Sequence, residues 1–415
     1  MFTLSKYKRR SCISNDLVVT YSERFRPAFD TSRGLRMTTT ASPALPNLGE
    51  LVLRLQAEGL RTESAVGGRS GGAGPTDVSM LWVEDMALTL DTNAAKVASS
   101  PFELRDDDQG LAIYESGVRV ASARNTPRPR FYELETSEGV PYWKIALLHL
   151  DSLASTVLQT CNYWGNDDQC AFCGIGVSLD SGRTIAKKRP DQLAEVAIAA
   201  RDLDGAVDVT LTTGSTKAPD RGALYVGRCA QAVKEASGLP VEVQFEPPED
   251  LDVINQVRAM GADTVGIHVE TFDPAVLARI APGKARTGIA RYFEAWERAV
   301  EQFGPGQVTT YVILGMGEDP EVTIAGCKKA IDYGVYPFIV PLRPVAGSLM
   351  EDWVTPSHHD VERIVRRVTP YLHERGLAAT TALAGCSRCQ ACSPMAAVEK
   401  TLQIGRKPMS LQANG

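Results

Sequence analysis

Six of the nine cysteines fall into two triplets, which are the residues of this chain best suited to chemistry. The first triplet is Cys161, Cys170 and Cys173, and the second is Cys386, Cys389 and Cys392. Three thiolates on one loop can bind three irons of a cubane iron–sulfur cluster and leave the fourth iron open to a small molecule. Zinc is the competing ligand, although a lone triplet lacks the fourth ligand that zinc needs. Buried, inert thiols are a third interpretation of the first triplet.

The elements that must position the first triplet follow from the pattern after residue 150, where short β-branched runs alternate with amphipathic helical segments. The predicted strands are residues 155–160, 207–213, 241–246, 263–270, 308–314 and 336–342. Repeated strand–helix units predict an α/β fold with a parallel sheet and helices outside it, either a barrel or a partial barrel. In such folds the chemistry lies at the carboxyl ends of the strands, and the first triplet directly follows the first of them.

A cysteine triplet that ends in C-x-aromatic-C, with Phe172 as the aromatic residue, resembles the radical SAM superfamily when it follows the first strand of such a barrel. The usual spacing in that family is three residues and then two, whereas this chain has eight and then two. The longer loop adds only about 0.9 kcal/mol of closure entropy. That cost is small beside the free energy of metal binding.

The resemblance implies a partial (β/α)6 TIM-like barrel whose first triplet binds a [4Fe–4S] cluster. It also implies that the open iron of the cluster chelates the methionyl amine and carboxylate of S-adenosylmethionine. The chain is similar to the lipoyl- and biotin-synthase-like branch of the family and to members found beside nitrilase-type genes. A small-molecule substrate and a reductant such as flavodoxin or ferredoxin follow as expected partners.

The same resemblance assigns roles to residues near the later strand ends. The predicted cofactor-binding residues are Thr212, Thr213, Gly214, Glu246, His268, Glu270, Gly315 and Phe172, and the predicted catalytic residues are Arg343 and Glu270. The segment R-I-A-P-G-K, residues 279–284, is similar to a segment of lipoyl- and biotin-synthase relatives. Ordinary structural alternatives remain open: helix caps for the two glutamates, a satisfied core histidine, and tight turns for the glycine-containing segments.

The second triplet has C-x2-C-x2-C spacing and lies beyond all six predicted strands. This spacing is typical of cubane ligation, and we interpret it as an auxiliary [4Fe–4S] cluster. A structural zinc with a distant fourth ligand, or reactive thiols without a metal, are the alternatives. The glycine-rich segment of residues 67–77 lacks the GK[ST] of a phosphate-binding P-loop. It is either an anion cradle assisted by Arg69 or a connector.

Composition and pattern predict four regions. Residues 1–47 are expected to be a disordered extension, within which Met37 is an alternative start. Residues 48–150 are expected to form a small α+β domain with strands in 80–90, 111–121 and 142–150. Residues 151–345 would be the partial barrel, and residues 346–415 a C-terminal helical extension that carries the second triplet.

The favoured function is that of a radical SAM enzyme that abstracts hydrogen from a small molecule. A non-catalytic two-cluster electron carrier and a zinc-stabilised binding protein are the alternatives. The net charge of −6 argues against a nucleic-acid partner. No apolar run is long enough to span a membrane, and the basic residues 1–12 lack the apolar region of a signal peptide, so a cytoplasmic location is expected. In that compartment the nine cysteines point to metal or redox chemistry rather than disulfides.

Overall fold

A computed structural model describes residues 47–62, 78–92, 95–402 and 404 of the chain. The predicted N-terminal extension, apart from Asn47, lies outside the described residues, as does the glycine-rich segment with Arg69. The predicted domain boundaries stay predictions.

The first part of the described chain is a six-stranded, mainly antiparallel sheet covered by one helix. Helix α1 (Leu48–Glu58) begins where the Asn47 side chain accepts a hydrogen bond from the Gly49 N–H, and it ends at Gly59, whose φ of 74° favours glycine. Leu51 and Leu55 of α1 belong to the core of this sheet. The strands are β1 (Arg61–Thr62), β2 (Val78–Val83), β3 (Met86–Asp91), β4 (Phe102–Asp107), β5 (Gly110–Glu115) and β6 (Val118–Asn125), in the order β1-β4-β5-β6-β2-β3.

A second sheet of seven strands confirms the predicted α/β fold. Its strands are β7 (Leu147–His149), β8 (Ser152–Leu158), β9 (Asp208–Thr213), β10 (Val241–Gln244), β11 (Thr264–Gly266), β12 (Val308–Leu314) and β13 (Val335–Pro341), and they pair in sequence order. Strands β8 to β13 are parallel, whereas β7 pairs antiparallel with β8. Residues of both β8 and β13 line one cavity, so the sheet curls into a half-barrel.

The prediction of one strand over residues 142–150 is wrong in its first half. Tyr142–Ile145 forms a short helix, α2, before β7 begins at Leu147. Pro141 precedes the helix with φ of −59°, and the buried Tyr142 and Ile145 lie three residues apart on one side of the turn. Helical spacing therefore buries both side chains, whereas a strand would place them on opposite faces.

Helices cover the outer face of the half-barrel, as the amphipathic segments predict. Pro190 and Pro320 occupy the first helical positions of α4 and α10, where a missing N–H costs nothing, and α4 ends at Gly205 in the left-handed conformation. The helices from α3 onward are α3 (Ile175–Asp180), α4 (Pro190–Asp204), α5 (Ala223–Ser237), α6 (Asp252–Ala259), α7 (Pro274–Ile280), α8 (Pro282–Thr287), α9 (Ile289–Phe303), α10 (Pro320–Asp332), α11 (His358–Glu374), α12 (Cys386–Cys389) and α13 (Met395–Leu402).

Strand alternation explains why the interior of the half-barrel is polar at some positions. Along β10, Val241 and Val243 belong to the apolar core beneath the helices. Gln244, at the next alternate position of the strand, and Glu246, two residues further along the chain, face the cavity instead. Alternation thus places side chains capable of chemistry on one face of a strand whose other face holds the fold together.

The second cysteine triplet lies at the amino-terminal ends of the parallel strands. The Gly385 N–H donates to Asp208, the first residue of β9, and the Thr264 hydroxyl, at the start of β11, donates to the Ala384 carbonyl. The first triplet follows the carboxyl end of β8. The two triplets therefore lie towards opposite ends of the half-barrel.

Candidate active site

A cavity of about 450 Å³ lies inside the half-barrel and joins the two triplets. All six cysteines of the triplets line it, together with side chains from β8, β9, β10, β12 and β13 and with His268 and Glu270, which follow β11. Apolar side chains, among them Ile313, Phe338 and Val340, form much of its wall. A cavity of this size and lining is typical of a small-molecule site.

The long loop between Cys161 and Cys170 is held by specific contacts. The Asn162 N–H donates to the Ser215 carbonyl at 2.7 Å, which ties the start of the loop to the end of β9. The Gly165 N–H donates to the Gln169 side chain at 2.9 Å within the loop. These contacts give the unusual eight-residue spacing a defined structure.

Two glycines allow other segments to approach this loop. A Cβ at Gly176 would lie 2.1 Å from Nε1 of Trp164, and a Cβ at Gly283 would lie 2.8 Å from the Tyr163 ring. Gly283 belongs to the segment of residues 279–284 that the sequence singles out. Its lack of a side chain lets α8 pack against the cysteine loop.

Burial keeps the thiols of the first triplet protonated in the metal-free chain. Burial raises the pKa of Cys173 to about 11 and that of Cys170 well above its ordinary value. Iron binding displaces such protons, because the thiolate is the ligand. The Lys284 ammonium lowers the pKa of Cys170 and so favours its thiolate. Three cysteines on one cavity wall beside a cation fit a cluster site.

Glu270 and Lys284 form a buried ion pair in the cavity wall. The Lys284 Nζ lies 2.5 Å from Glu270 Oε1 and donates a second hydrogen bond to the His268 carbonyl at 2.9 Å. Burial lowers the pKa of Lys284, but the Glu270 carboxylate outweighs this effect and holds the pKa well above its ordinary value. Lys284 is therefore charged. Glu270 also has a φ of 69°, an uncommon conformation for a residue other than glycine.

His268 lines the cavity as a neutral imidazole. Its Nδ1 accepts a hydrogen bond from the Tyr311 N–H at 3.1 Å, so the proton resides on Nε2. Burial and the Lys284 charge lower the pKa of His268 to about 3. Within the described part of the chain, Nε2 is buried without a hydrogen-bond partner. A donor of this kind fits a cavity that binds a polar ligand.

Glu246 belongs to a polar group that the sequence did not reveal. Its carboxylate accepts a hydrogen bond from the Tyr163 hydroxyl at 3.0 Å, and the Arg221 guanidinium lies 3.6 Å from the same oxygen. Arg221 also donates to the Tyr163 hydroxyl at 2.7 Å. The carboxylate thus faces the cavity with a fixed orientation.

The structure brings most of the remaining predicted site residues to the cavity. Its lining includes Phe172, Thr212, Thr213, Gly214 and Arg343. A Cβ at Gly214 would lie 2.2 Å from the Thr160 carbonyl, so this glycine allows the backbone before Cys161 to pass closely. The functional roles of these residues stay predictions.

Two of the predicted residues make contacts within the protein that the sequence did not indicate. Gly315 is not among the residues that line the cavity: its N–H donates to the Glu318 side chain, and a Cβ there would meet Pro356. Arg343 donates to the Thr89 carbonyl of β3 at 2.7 Å, while its Nε is buried without a partner among the described residues. Part of this guanidinium therefore holds the small sheet in place.

The second triplet is surrounded by hydrogen-bonding groups. The Cys386 sulfur accepts from the Tyr311 hydroxyl at 3.1 Å and lies 3.6 Å from the Gln244 amide nitrogen. The Cys389 sulfur lies 3.3 Å from Nδ1 of His149. No sequence motif marks His149, and only its position before the first barrel strand would have drawn attention to it.

Charged groups hold the α12 turn in place. Arg388 forms an ion pair with Asp151 at 2.6 Å and another with the fully buried Asp208. Burial raises the pKa of Glu242 to about 7, although this carboxylate accepts hydrogen bonds from Gln244, Thr309 and the backbone of Cys386.

Across the described residues, no three His, Cys, Asp or Glu side chains are arranged to hold a single metal ion. A cubane cluster makes a different demand, because each of its thiolates binds a different iron. The grouping of each triplet on one part of the cavity wall fits that demand. No helix among the described ranges is long and apolar enough to cross a membrane.

Comparison with known proteins identifies the family. The family model described as the radical SAM superfamily matches residues 160–331. A bacteriochlorophyllide c C-7(1)-hydroxylase from Chlorobaculum limnaeum is 31% identical over 309 residues, which cover 66% of this chain and 76% of the relative. A lipoyl synthase from Methanocella arvoryzae is 29% identical over 157 residues, covering 36% of this chain and 49% of the relative.

Among solved structures, a methylornithine synthase has a TM-score of 0.41 at 18% identity, over 58% of this chain and 72% of that one. A radical SAM methyltransferase from Sphaerobacter thermophilus has a TM-score of 0.42 at 14% identity, over 67% of this chain and 75% of that one. The family match begins at the residue before the first cysteine, and the hydroxylase relative extends beyond it. The resemblance seen in the sequence is confirmed: this chain belongs to the radical SAM superfamily.

Proposed function

We propose that this chain is a radical SAM enzyme that removes a hydrogen atom from a small molecule bound in the half-barrel, and that it carries a second [4Fe–4S] cluster. The observation that supports the proposal best is the single cavity lined by both cysteine triplets. A substrate in this cavity would have one triplet towards each end. Family membership implies the first cluster and S-adenosylmethionine.

The cluster and S-adenosylmethionine, when bound and reduced, supply a 5′-deoxyadenosyl radical. The chain contributes binding, orientation and exclusion of water. Cys161, Cys170 and Cys173 would hold the first cluster. The Lys284–Glu270 pair and the Nε2–H of His268 are the polar groups of the cavity wall that would orient the ligands.

The apolar wall has a separate task. Ile313, Phe338 and Val340 line the cavity and would keep water away from a reactive radical. The relative from Chlorobaculum limnaeum is named a C-7(1)-hydroxylase of bacteriochlorophyllide c, so its name describes a change at a carbon atom. We therefore propose that the bond broken in the substrate of this chain is a C–H bond.

For the electron donor and the location of the protein, we propose what the sequence analysis expects. A flavodoxin or ferredoxin would reduce the first cluster, and we propose a cytoplasmic location, where clustered cysteines serve metal or redox chemistry rather than disulfides.

The test uses S-adenosylmethionine itself as the probe. Protein reconstituted anaerobically with iron and sulfide is reduced with dithionite, and 5′-deoxyadenosine is quantified. We expect 5′-deoxyadenosine and methionine to form in equal amounts. Intact S-adenosylmethionine beside fully assembled clusters would support the electron-carrier alternative instead, and zinc without iron would support the zinc-stabilised binding protein.

A further inference from the structure

His149 is placed against two cysteines of the second triplet. It is the last residue of β7 and is only 8% exposed. Its Nδ1 lies 3.3 Å from the Cys389 sulfur, and its Nε2 lies 3.8 Å from the Cys392 sulfur. His149 and all three cysteines line the same cavity.

The imidazole of His149 has a second partner that fixes its orientation. The Thr89 hydroxyl, on β3, lies 3.2 Å from Nε2. The Thr89 N–H donates to the Ala391 carbonyl at 2.9 Å, between Cys389 and Cys392. A metal-bound histidine usually donates its other ring N–H to an oxygen in this way. The arrangement leaves Nδ1 as the nitrogen available to a metal.

A cubane cluster has four irons, and three cysteines supply only three of the protein ligands it can take. Imidazole replaces thiolate on iron in some iron–sulfur centres. We infer that Nδ1 of His149 is the fourth protein ligand of the second cluster, an inference that rests on the proposal that the second triplet binds a cluster. The ligand set is then Cys386, Cys389, Cys392 and His149.

Another candidate ligand near Cys386 is Glu242, whose carboxylate already has three partners. Its Oε2 accepts from the Gln244 amide at 2.7 Å and from the Cys386 N–H at 3.3 Å, and its Oε1 accepts from the Thr309 hydroxyl at 3.1 Å. These contacts hold Glu242 as a support for the backbone at Cys386. His149, in contrast, contacts two of the cysteine sulfurs directly.

A histidine ligand has a functional consequence. With four protein ligands the second cluster has no open iron, so it transfers electrons to or from the reaction instead of binding the substrate. Replacing a thiolate by a neutral imidazole also removes a negative charge, which raises the reduction potential.

The test isolates the second cluster in the full chain. The Cys161→Ala/Cys170→Ala/Cys173→Ala variant removes the first cluster and is reconstituted anaerobically without S-adenosylmethionine, whose amine would add another nitrogen. The reduced cluster is examined by pulsed electron–nuclear double resonance. We expect a ¹⁴N coupling from a directly bound nitrogen, replaced by a ¹⁵N coupling after labelling with ¹⁵N-histidine.

His149→Cys on this background should keep the iron content, lose the nitrogen coupling and lower the reduction potential. His268→Ala, which removes the other cavity histidine, is the matched control and should retain the coupling. If the triple-alanine background does not fold, wild type and His149→Cys are compared without S-adenosylmethionine, since the first triplet supplies no nitrogen.

The outcomes distinguish the assignment of His149 as a ligand from the proposal that the second triplet binds a cluster. An assembled cluster with no strongly coupled nitrogen, or a coupling that survives in His149→Cys, overturns the assignment of His149 and leaves the second cluster intact. Absence of iron from the second triplet overturns the cluster proposal itself, and the His149 assignment with it.

Discussion

Lys284 and Glu270 form an ion pair that is buried on both sides, with side chains only 11% and 9% exposed and a 2.5 Å separation between Nζ and Oε1. The pair joins α8 to the residues that follow β11. The pair also lies in the wall of the cavity that the first triplet lines. Removing one partner would leave the other charge buried without compensation.

Lys284→Met should therefore destabilise the folded chain by about 3–5 kcal/mol. The double variant Lys284→Met/Glu270→Gln should recover most of that loss, because it removes both charges. Denaturant unfolding of the reconstituted protein under anaerobic conditions measures both. Arg286→Gln is the control, since its pair with Asp168 is 60% exposed on the arginine side and should be worth less than about 1 kcal/mol. A Lys284→Met variant as stable as wild type would show that Glu270 is protonated and needs no partner.

Each of the variants Cys161→Ala, Cys170→Ala and Cys173→Ala should lose the first cluster, because each thiolate binds a different iron. Formation of 5′-deoxyadenosine after dithionite reduction should fall to background in all three. Cys327→Ala, in the buried core of α10, removes a cysteine outside the triplets and should retain both iron and activity. Wild-type yields from Cys170→Ala would mean that the eight-residue spacing is a coincidence.

Arg388→Met should disrupt the second triplet selectively. It leaves the fully buried Asp208 carboxylate without its cation, at a cost of about 3–5 kcal/mol at the amino-terminal ends of the strands. Iron should fall from about eight to about four per chain, since each cubane contains four irons. Asp151→Asn is the control, because Asp151 is 47% exposed and the change should cost less than about 1 kcal/mol. Unchanged iron in Arg388→Met would show that this pair does not support the cysteines.

Lys188 should make stability depend on pH. Its side chain is fully buried, its Nζ donates to Gln159 at 3.2 Å, and burial lowers its pKa from 10.5 to about 7. Between these two values the unfolded chain binds a proton that the folded chain does not, so folding becomes more favourable as pH rises. Relative to Lys188→Met, the wild-type free energy of unfolding should increase by about 3 kcal/mol between pH 7 and pH 9.5. Parallel curves for the two proteins over this range would show that Lys188 keeps its ordinary pKa.

The parallel sheet could be predicted from the sequence, because β-branched runs that alternate with amphipathic helical segments are typical of parallel sheets. Strand β12 has the predicted limits of Val308 and Leu314. Helix α1 ends at Gly59, a residue type that commonly terminates helices. The predicted strand over residues 142–145 is wrong, because a single helical turn is too short to show a helical period in the sequence.

The cavity required the three-dimensional structure. Cys161 and Cys386 are more than 200 residues apart, and only the closing of the chain around the half-barrel brings both to one cavity. His149 carries no local signal, and Lys284 is marked only as the last residue of the segment 279–284, because the partners of both side chains lie on other elements. The role of Gly315 rests on the resemblance alone and stays a prediction, because its described neighbours are Glu318 and Pro356.

We propose that two iron–sulfur clusters face one cavity, a claim that the iron, sulfide and zinc contents of the protein test. Wild-type protein and the Cys386→Ala/Cys389→Ala/Cys392→Ala variant are reconstituted anaerobically, and both are assayed for 5′-deoxyadenosine. We expect about eight irons and about eight sulfides per chain in wild type and about four of each in the variant. The variant should still cleave S-adenosylmethionine. Equal iron in the two proteins, or one zinc lost in place of four irons, would contradict the claim.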